Sequence, residues 1–165
     1  MTPRTKAQFQ SMRETSRRKI MDAALELFAN QGYYPTSIDT LAKKAQVSKG
    51  LIYNYFNSKE EILEAIIILG FQEIENATVS AFEQTDQSSL LERQIDLYAN
   101  LLDDKADFFK LYMHLLGQPT VIKAVHSIMT EFYNRMTLQL TQLLENSGSL
   151  SPELDARVLG AVLDG

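Results

Sequence analysis

The sequence predicts an all-α chain, and three observations carry that prediction. Apolar residues recur at three- and four-residue spacing along most of the 165 residues. Seven glycines and four prolines are too few for the many tight turns of an all-β chain. No alternating strand pattern runs for more than a few residues. The apolar share of 45% and charged share of 22% are a soluble globular balance and argue against wholesale disorder. The length gives room for one ordinary core or two small subdomains sharing an interface. The expected architecture is an N-terminal three-helix helix-turn-helix unit over residues 1–57, then an antiparallel helical bundle over 58–165.

The elements follow in chain order. Residues to about Thr15 are polar and read as a loose basic arm carrying Arg4, Lys6 and Arg13. Ile20, Ala23, Ala24, Leu27 and Phe28 then mark a helix that Gly32 closes. Ser37 caps a short helix through Ala45, with Ile38, Leu41, Ala42 and Ala45 on one face. Gln46-Val47-Ser48 is a turn, and a third helix runs from Lys49 to about Phe56. Ser58 with Glu61 is a capping box for a long fourth helix, striped by Ile62, Leu63, Ile66, Ile67, Gly70 and Ile74. Thr85-Asp86-Gln87-Ser88 is a loop before a fifth helix patterned by Leu90, Leu91, Ile95, Tyr98 and Leu102. Asp107 caps a sixth, through Phe108, Phe109, Tyr112 and Leu116. Pro119 suits the first turn of a seventh. Its stripe of Ile122, Val125, Met129, Phe132, Met136, Leu140 and Leu143 lasts to Asn146. Ser151-Pro152-Glu153 opens an eighth, which the sequence leaves unfinished at Gly165.

Composition excludes several chemistries. With no cysteine there are no disulfides, thiolate nucleophiles or cysteine-ligated zinc. His114 and His126 are the only histidines, so a histidine-rich metal site is excluded, and no cofactor is expected. No phosphate-cradling or dinucleotide glycine motif occurs, and neither histidine sits near a nucleophile elbow, so no enzyme activity is expected. The longest apolar run, Ala65–Leu69, cannot span a membrane. The polar, basic N-terminus lacks a hydrophobic signal region, and a cytoplasmic location is expected.

The formal charge of −5 hides an asymmetry. Residues 1–59 carry ten Lys/Arg against four Asp/Glu, and residues 60–165 carry six against seventeen. A basic first third is the footprint of a nucleic-acid-binding module, and also of a merely solvated basic face. The two short helices around Gln46-Val47-Ser48 sharpen the choice. In a helix-turn-helix the second helix enters the major groove, which is about 12 Å wide. Lys49, Gly50, Leu51, Asn54 and Tyr55 fall on its outer face, while Val47 and Ile52 turn inward. Tyr53 suits a phenol reaching a phosphate, and Phe56 suits core. Lys59 stands at a helix N-terminus, against the macrodipole, which suggests a phosphate partner.

The stretch Arg18 to Leu63 resembles the N-terminal domain of the TetR family of transcriptional regulators. RKIMDAALELFANQGY (Arg18–Tyr33) is similar to the family's first helix. TSIDTLAKKAQVSKGLIYNYFNSKEEIL (Thr36–Leu63) is similar to its helix-turn-helix, and the tail Tyr53-x-Tyr55-Phe56-x-Ser58-Lys59-Glu60 is the most specific part. About 46 of 165 residues are covered. The resemblance implies that Ser37, Ser48, Tyr53 and Lys59 touch phosphates and that Lys49, Gly50, Leu51, Asn54 and Tyr55 face bases. Gln46 departs from the family's glycine and, if it needs a positive φ, stores about 1 kcal/mol of strain. Leu51 departs from a usual Thr or Ser, exchanging a hydrogen bond for an apolar contact.

The resemblance also implies a second helical domain that binds a small molecule and dimerises. Candidate pocket residues are Phe71, Tyr98, Phe109, Tyr112, Met113, His114, Met129, Phe132, Tyr133 and Met136. Each could equally be plain core, but Tyr98, Tyr112, His114 and Tyr133 carry polar groups that need partners if buried. Leu154, Val158, Ala161 and Val162 form the candidate dimer face. The eighth helix lacks an ordinary stop, so the natural chain is expected to continue past Gly165. The expected function is that of a sequence-specific DNA-binding regulator, a repressor released from a palindromic double-stranded operator by a neutral or cationic lipophilic effector and working as a homodimer. The alternative is a ligand-independent DNA-binding regulator or nucleoid-type module.

Overall fold

The structure, a computed structural model, describes residues 5–83, 90–116, 119–146 and 148–164. Its helices are α1 (Lys6–Gln31), α2 (Ile38–Ala45), α3 (Lys49–Tyr53), α4 (Lys59–Glu83), α5 (Leu90–Asp104), α6 (Ala106–Leu116), α7 (Pro119–Asn146) and α8 (Pro152–Asp164). The 85–88 loop and the side chains of Leu90, Leu91, Ile95, Tyr98, Ile122, Ala161 and Val162 lie outside the described residues.

The first helix departs from the expected loose arm. α1 begins at Lys6, because Thr5 Oγ1 accepts from the Gln8 N–H and Gln8 Oε1 accepts from the Thr5 N–H, a complete capping box. Its second half buries Ile20, Ala24, Leu27 and Phe28. Gly32 ends it at φ 89°, with its N–H on the Phe28 carbonyl at 3.0 Å. Thr36, buried, returns its hydroxyl to the Gly32 carbonyl at 2.8 Å and closes the bend into α2.

The α2–α3 connection is a Schellman turn. The Val47 N–H reaches the Ala42 carbonyl at 3.0 Å and the Gln46 N–H reaches the Lys43 carbonyl at 3.2 Å. This geometry places Gln46 in the left-handed region, at φ 54° and ψ 45°. α3 is shorter than expected, ending at Tyr53. Asn54 and Tyr55 follow in a tighter turn, with the Tyr55 N–H on the Ile52 carbonyl at 3.0 Å.

The chain divides into two compact units. One runs to Ile67 and takes in α6, which the sequence reading had assigned to the bundle. Lys110 Nζ on α6 donates to Asn30 Oδ1 on α1 at 2.6 Å within that unit. The other comprises Ile68–Ala106 and Thr120–Gly165. α4 contributes to both, burying Ile62, Leu63, Ile66 and Ile67 before the division and Phe71 and Ile74 after it. In the second unit Lys105 pairs with Glu73, and Arg135 Nη2 meets Glu75 Oε2 at 3.1 Å.

Two stripes sit one residue away from their expected register. On α5 Leu101 is buried while Leu102 is 55% exposed. On α6 Phe108, Leu111 and Leu115 are buried and Leu116 is exposed. Asp107 lies in the first turn of α6 and not at its cap. The α4 box is also displaced. Ser58 Oγ caps the Glu61 N–H at 3.0 Å, but the Glu61 carboxylate returns to the N–H of Asn57, at 2.6 Å.

The left-handed Gln46 gives a direct stability test. A Cβ in this region costs about 1–2 kcal/mol, against about 0.5–1 kcal/mol of extra chain entropy for glycine. Gln46→Gly therefore raises unfolding stability by about 0.5–1 kcal/mol, measured by urea denaturation at constant slope. A loss of stability would show that Gln46 is not strained.

Candidate nucleic-acid interface

The interface is built on α2, the Schellman turn and α3. Serine caps begin both helices. Ser37 Oγ accepts from the Thr40 N–H at 3.0 Å, and Ser48 Oγ accepts from the Leu51 N–H at 3.1 Å. Both serines are exposed, so each hydroxyl keeps further hydrogen-bonding capacity toward solvent. Leu41, Ala42 and Ala45 seat α2, while Ile52 and Phe56 seat α3 and the turn after it.

The residues expected to face bases fall on the outer side. Lys49, Gly50 and Asn54 are exposed, and Leu51 and Tyr55 are half-buried. A Cβ built at Gly50 would meet nothing within 4 Å, and its φ lies outside the left-handed region. Neither packing nor backbone conformation in this chain requires glycine there. Tyr53 is half exposed, as a phosphate-reaching phenol must be. The structure thus brings together Ser37, Ser48, Lys49, Gly50, Leu51, Tyr53, Asn54 and Tyr55 on one short segment.

Two lysines are more engaged than the sequence suggests. Lys49 Nζ lies 3.0 Å from Asp39 Oδ1, in the first turn of α2, and that hydrogen bond raises the lysine pKa. Lys59 needs a correction. Its Nζ donates to the carbonyls of Tyr33 at 2.7 Å, Thr36 at 2.9 Å and Tyr34 at 3.2 Å, and sits 4.3 Å from the centre of the Tyr33 ring. An ammonium has three protons, and these carbonyls take all of them. Lys59 thus clasps the α1–α2 bend to the start of α4. The carbonyl oxygens, not an outside phosphate, offset the macrodipole. Burial lowers its pKa, and burial also raises that of the Tyr33 phenol beneath it, with Glu60 adding to the rise.

Sequence reasoning placed Arg13 only in a loose basic arm, and it missed Arg17 and Asp39. The guanidinium of Arg13 lies 5.7 Å over the Tyr55 ring and that of Arg17 lies 5.1 Å over the Phe56 ring. The signal was available in the spacing Arg13-x3-Arg17, one helical turn apart, once α1 is extended back to Lys6.

The expected effector residues are divided between the two units. Phe109, Tyr112, Met113 and His114 fall in the first unit, while Phe71, Met129, Phe132, Tyr133 and Met136 fall in the second. Met113 is 64% exposed, and His114 and Tyr133 are exposed too. Phe71 and Phe132 stack with centres 4.3 Å apart, and Met136 is buried. Gln139 Oε1 on α7 is buried with no hydrogen-bond partner among the described residues, another group the sequence did not single out. On α8, Leu154 and Val158 are 62% and 58% exposed. Among the described residues no group of three or more His, Asp or Glu is placed to hold a metal ion.

The chain is similar to known proteins in sequence and in fold. The sequence profile of the bacterial regulatory proteins, tetR family, matches residues 20–66. The transcriptional regulator HbdR of Aromatoleum is 52% identical over 50 residues, 30% of this chain and 22% of that protein. UidR of Escherichia coli K12 is 22% identical over 161 residues, 93% of this chain and 79% of that one. The matched stretch thus spans about a fifth of HbdR and about four fifths of UidR. Among solved structures, the regulator PfmR of Thermus thermophilus superposes with a TM-score of 0.67 at 25% identity, covering 90% of this chain and 82% of that chain.

The open space at Gly50 separates a folding role from a contact role. Gly50→Ala leaves the thermal unfolding midpoint unchanged or higher, since alanine is the better helix former. A methyl held against a base edge should nonetheless weaken binding to duplex DNA by about tenfold, within the 1–3 kcal/mol of one base contact. Equal affinity for wild type and variant, by fluorescence anisotropy, would remove Gly50 from the contact surface.

Proposed function

We propose that the chain is a DNA-binding transcriptional regulator of the TetR family, whose sequence profile matches residues 20–66. It acts as a repressor that reads a palindromic operator as a homodimer and is released by a small lipophilic ligand. The single observation that carries the reading is the outer face of α3. Its backbone is satisfied by its own cap and turn, and Gly50 and Asn54 stand exposed with no packing task in the chain. Ser37, Ser48 and Tyr53 flank that face as phosphate anchors, which fix register without reading sequence. Lys49 and Asn54 are the base readers, lysine suiting guanine and asparagine suiting adenine. Lys49 exchanges Asp39 for the base on docking. Among the described residues no helix is long and apolar enough to cross a membrane, and the setting we propose is the cytoplasm.

A single helix-turn-helix makes few contacts, so two copies are needed for a specific site. The exposed Leu154 and Val158, one turn apart on α8, supply an apolar face for that pairing. The effector occupies the second unit, near Phe71, Met129, Phe132 and Met136. There the buried Gln139 Oε1 offers an acceptor to a neutral ligand with one donor group. α4 belongs to both units, so a ligand that prefers one arrangement of its second half biases the reading head. By linkage, DNA then weakens ligand binding by the same factor. A second reading, a regulator that needs no ligand, draws support from the tight Phe71–Phe132 stack, which fills space a ligand would use.

The test is the specificity ratio. Asn54→Ala should cost about 1–3 kcal/mol on the protein's preferred duplex, selected from random DNA, and leave affinity for a random-sequence duplex unchanged. Equal losses on both duplexes would mean that α3 does not read bases as proposed.

A further inference from the structure

Among the described side chains, the first half of α1 has no task in the core. From Lys6 to Thr15 the described side chains are exposed, whereas burial begins in earnest at Ile20. This half nonetheless forms one wall of a groove of about 680 Å³. Lys6, Arg13 and Arg17 line it on the α1 side, and Asn54 and Tyr55 line it on the other. Asn54 and Tyr55, two of the five expected base-facing residues, thus share one concavity with three cations of α1. Both walls lie within the same compact unit.

The charges in the groove are uneven and uncommitted. Elsewhere in the head, three cations are paired with carboxylates: Arg18 with Asp22, Lys44 with Glu26 and Lys49 with Asp39. Among the described residues none of Lys6, Arg13 and Arg17 has a carboxylate partner. Glu14 also lines the groove, and its Oε1 accepts from Gln10 Nε2 at 3.5 Å. Three cations against one anion leave a positive wall. Stacking over Tyr55 and Phe56 holds two guanidinium groups in place without neutralising them. A planar guanidinium so held matches a phosphate by its fork of donors.

We infer that the N-terminal half of α1 is a second DNA-contacting element, which grips the sugar–phosphate backbone flanking the half-site read by α3. The inference rests on the DNA-binding reading above. Twelve residues from Lys6 to Arg17 span about 18 Å at 1.5 Å per residue. That equals about five base pairs at 3.4 Å each. The groove therefore extends the protected site on one flank of each half-site by about that length. It adds affinity and salt dependence without adding sequence preference.

The test uses the double variant Lys6→Gln/Arg13→Gln, and Arg13→Lys as a charge-keeping control. Both changes are at exposed positions, and far-UV circular dichroism with thermal unfolding checks that the fold is kept. On a random-sequence 40-base-pair duplex, the slope of log K against log salt should fall by about 1.8 per protomer for the loss of two phosphate contacts, or about 3.6 for the homodimer. Between 50 and 200 mM salt, wild type would then lose about tenfold more affinity per bound protomer than the double variant. Arg13→Lys keeps the wild-type slope. Hydroxyl-radical footprints on a duplex selected by wild type should shorten by about four or five base pairs per half-site, with the central sequence preference unchanged. A wild type that binds DNA while the double variant keeps its slope and footprint would overturn the inference and leave the DNA-binding reading standing. A wild type that binds no duplex would overturn both.

Discussion

The arrangement depends on the seating of a helix too short to hold itself. α3 has five residues, and isolated helices below about 12–15 residues are marginal in water. Its shape must come from what surrounds it. Ile52, fully buried, and Phe56, 1% exposed, anchor its inner side. Ser48 caps its start, and the Schellman turn through Gln46 sets its angle to α2. The inner side takes the packing and leaves the outer side without structural duties. The same division of labour explains why Gly50 and Asn54 can be exposed without cost to the fold.

Lys59 extends that seating to the rest of the head. Its ammonium gathers three carbonyls from the bend at residues 33–36 and rests over the Tyr33 ring, which itself packs edge-on against Phe28 at 5.2 Å. A cation at a helix start opposes the macrodipole by a few tenths of a kcal/mol. Hydrogen bonds from a charged donor to partly buried carbonyls are worth more than that. The lysine therefore belongs where local electrostatics alone would not put it. It couples the start of α4 to the α1–α2 bend, and α4 carries on into the second unit.

Much of the head was legible because its signals are local and mechanistic. Ser37 and Ser48 precede their helices as caps should, and Gln46 sits where a Schellman turn needs a left-handed residue whatever its identity. Other features were hidden for physical reasons. The first half of α1 carries only Ala7, Phe9 and Met12 as apolar residues, too few to mark a long stripe, and the Thr5–Gln8 box is what sets its start. Leu101-Leu102 and Phe108-Phe109 place apolar residues side by side, and tertiary packing alone selects which is buried. The clasp of Lys59 joins residues more than twenty positions apart, beyond the reach of any local rule. The aromatic and methionine residues of the later helices repeat at helical spacing whether they form core, pocket or surface. That is why Met113 and Tyr133, both exposed, were grouped with Phe132.

The central claim is that the outer face of α3, freed from packing, reads DNA sequence in two copies. Selection of bound duplexes from a random pool by the purified protein tests it most directly. The account predicts an enriched motif of two inverted half-sites whose centres lie about one helical turn, or a multiple of it, apart. Enrichment of no motif, or of a single half-site without its inverted partner, would contradict it.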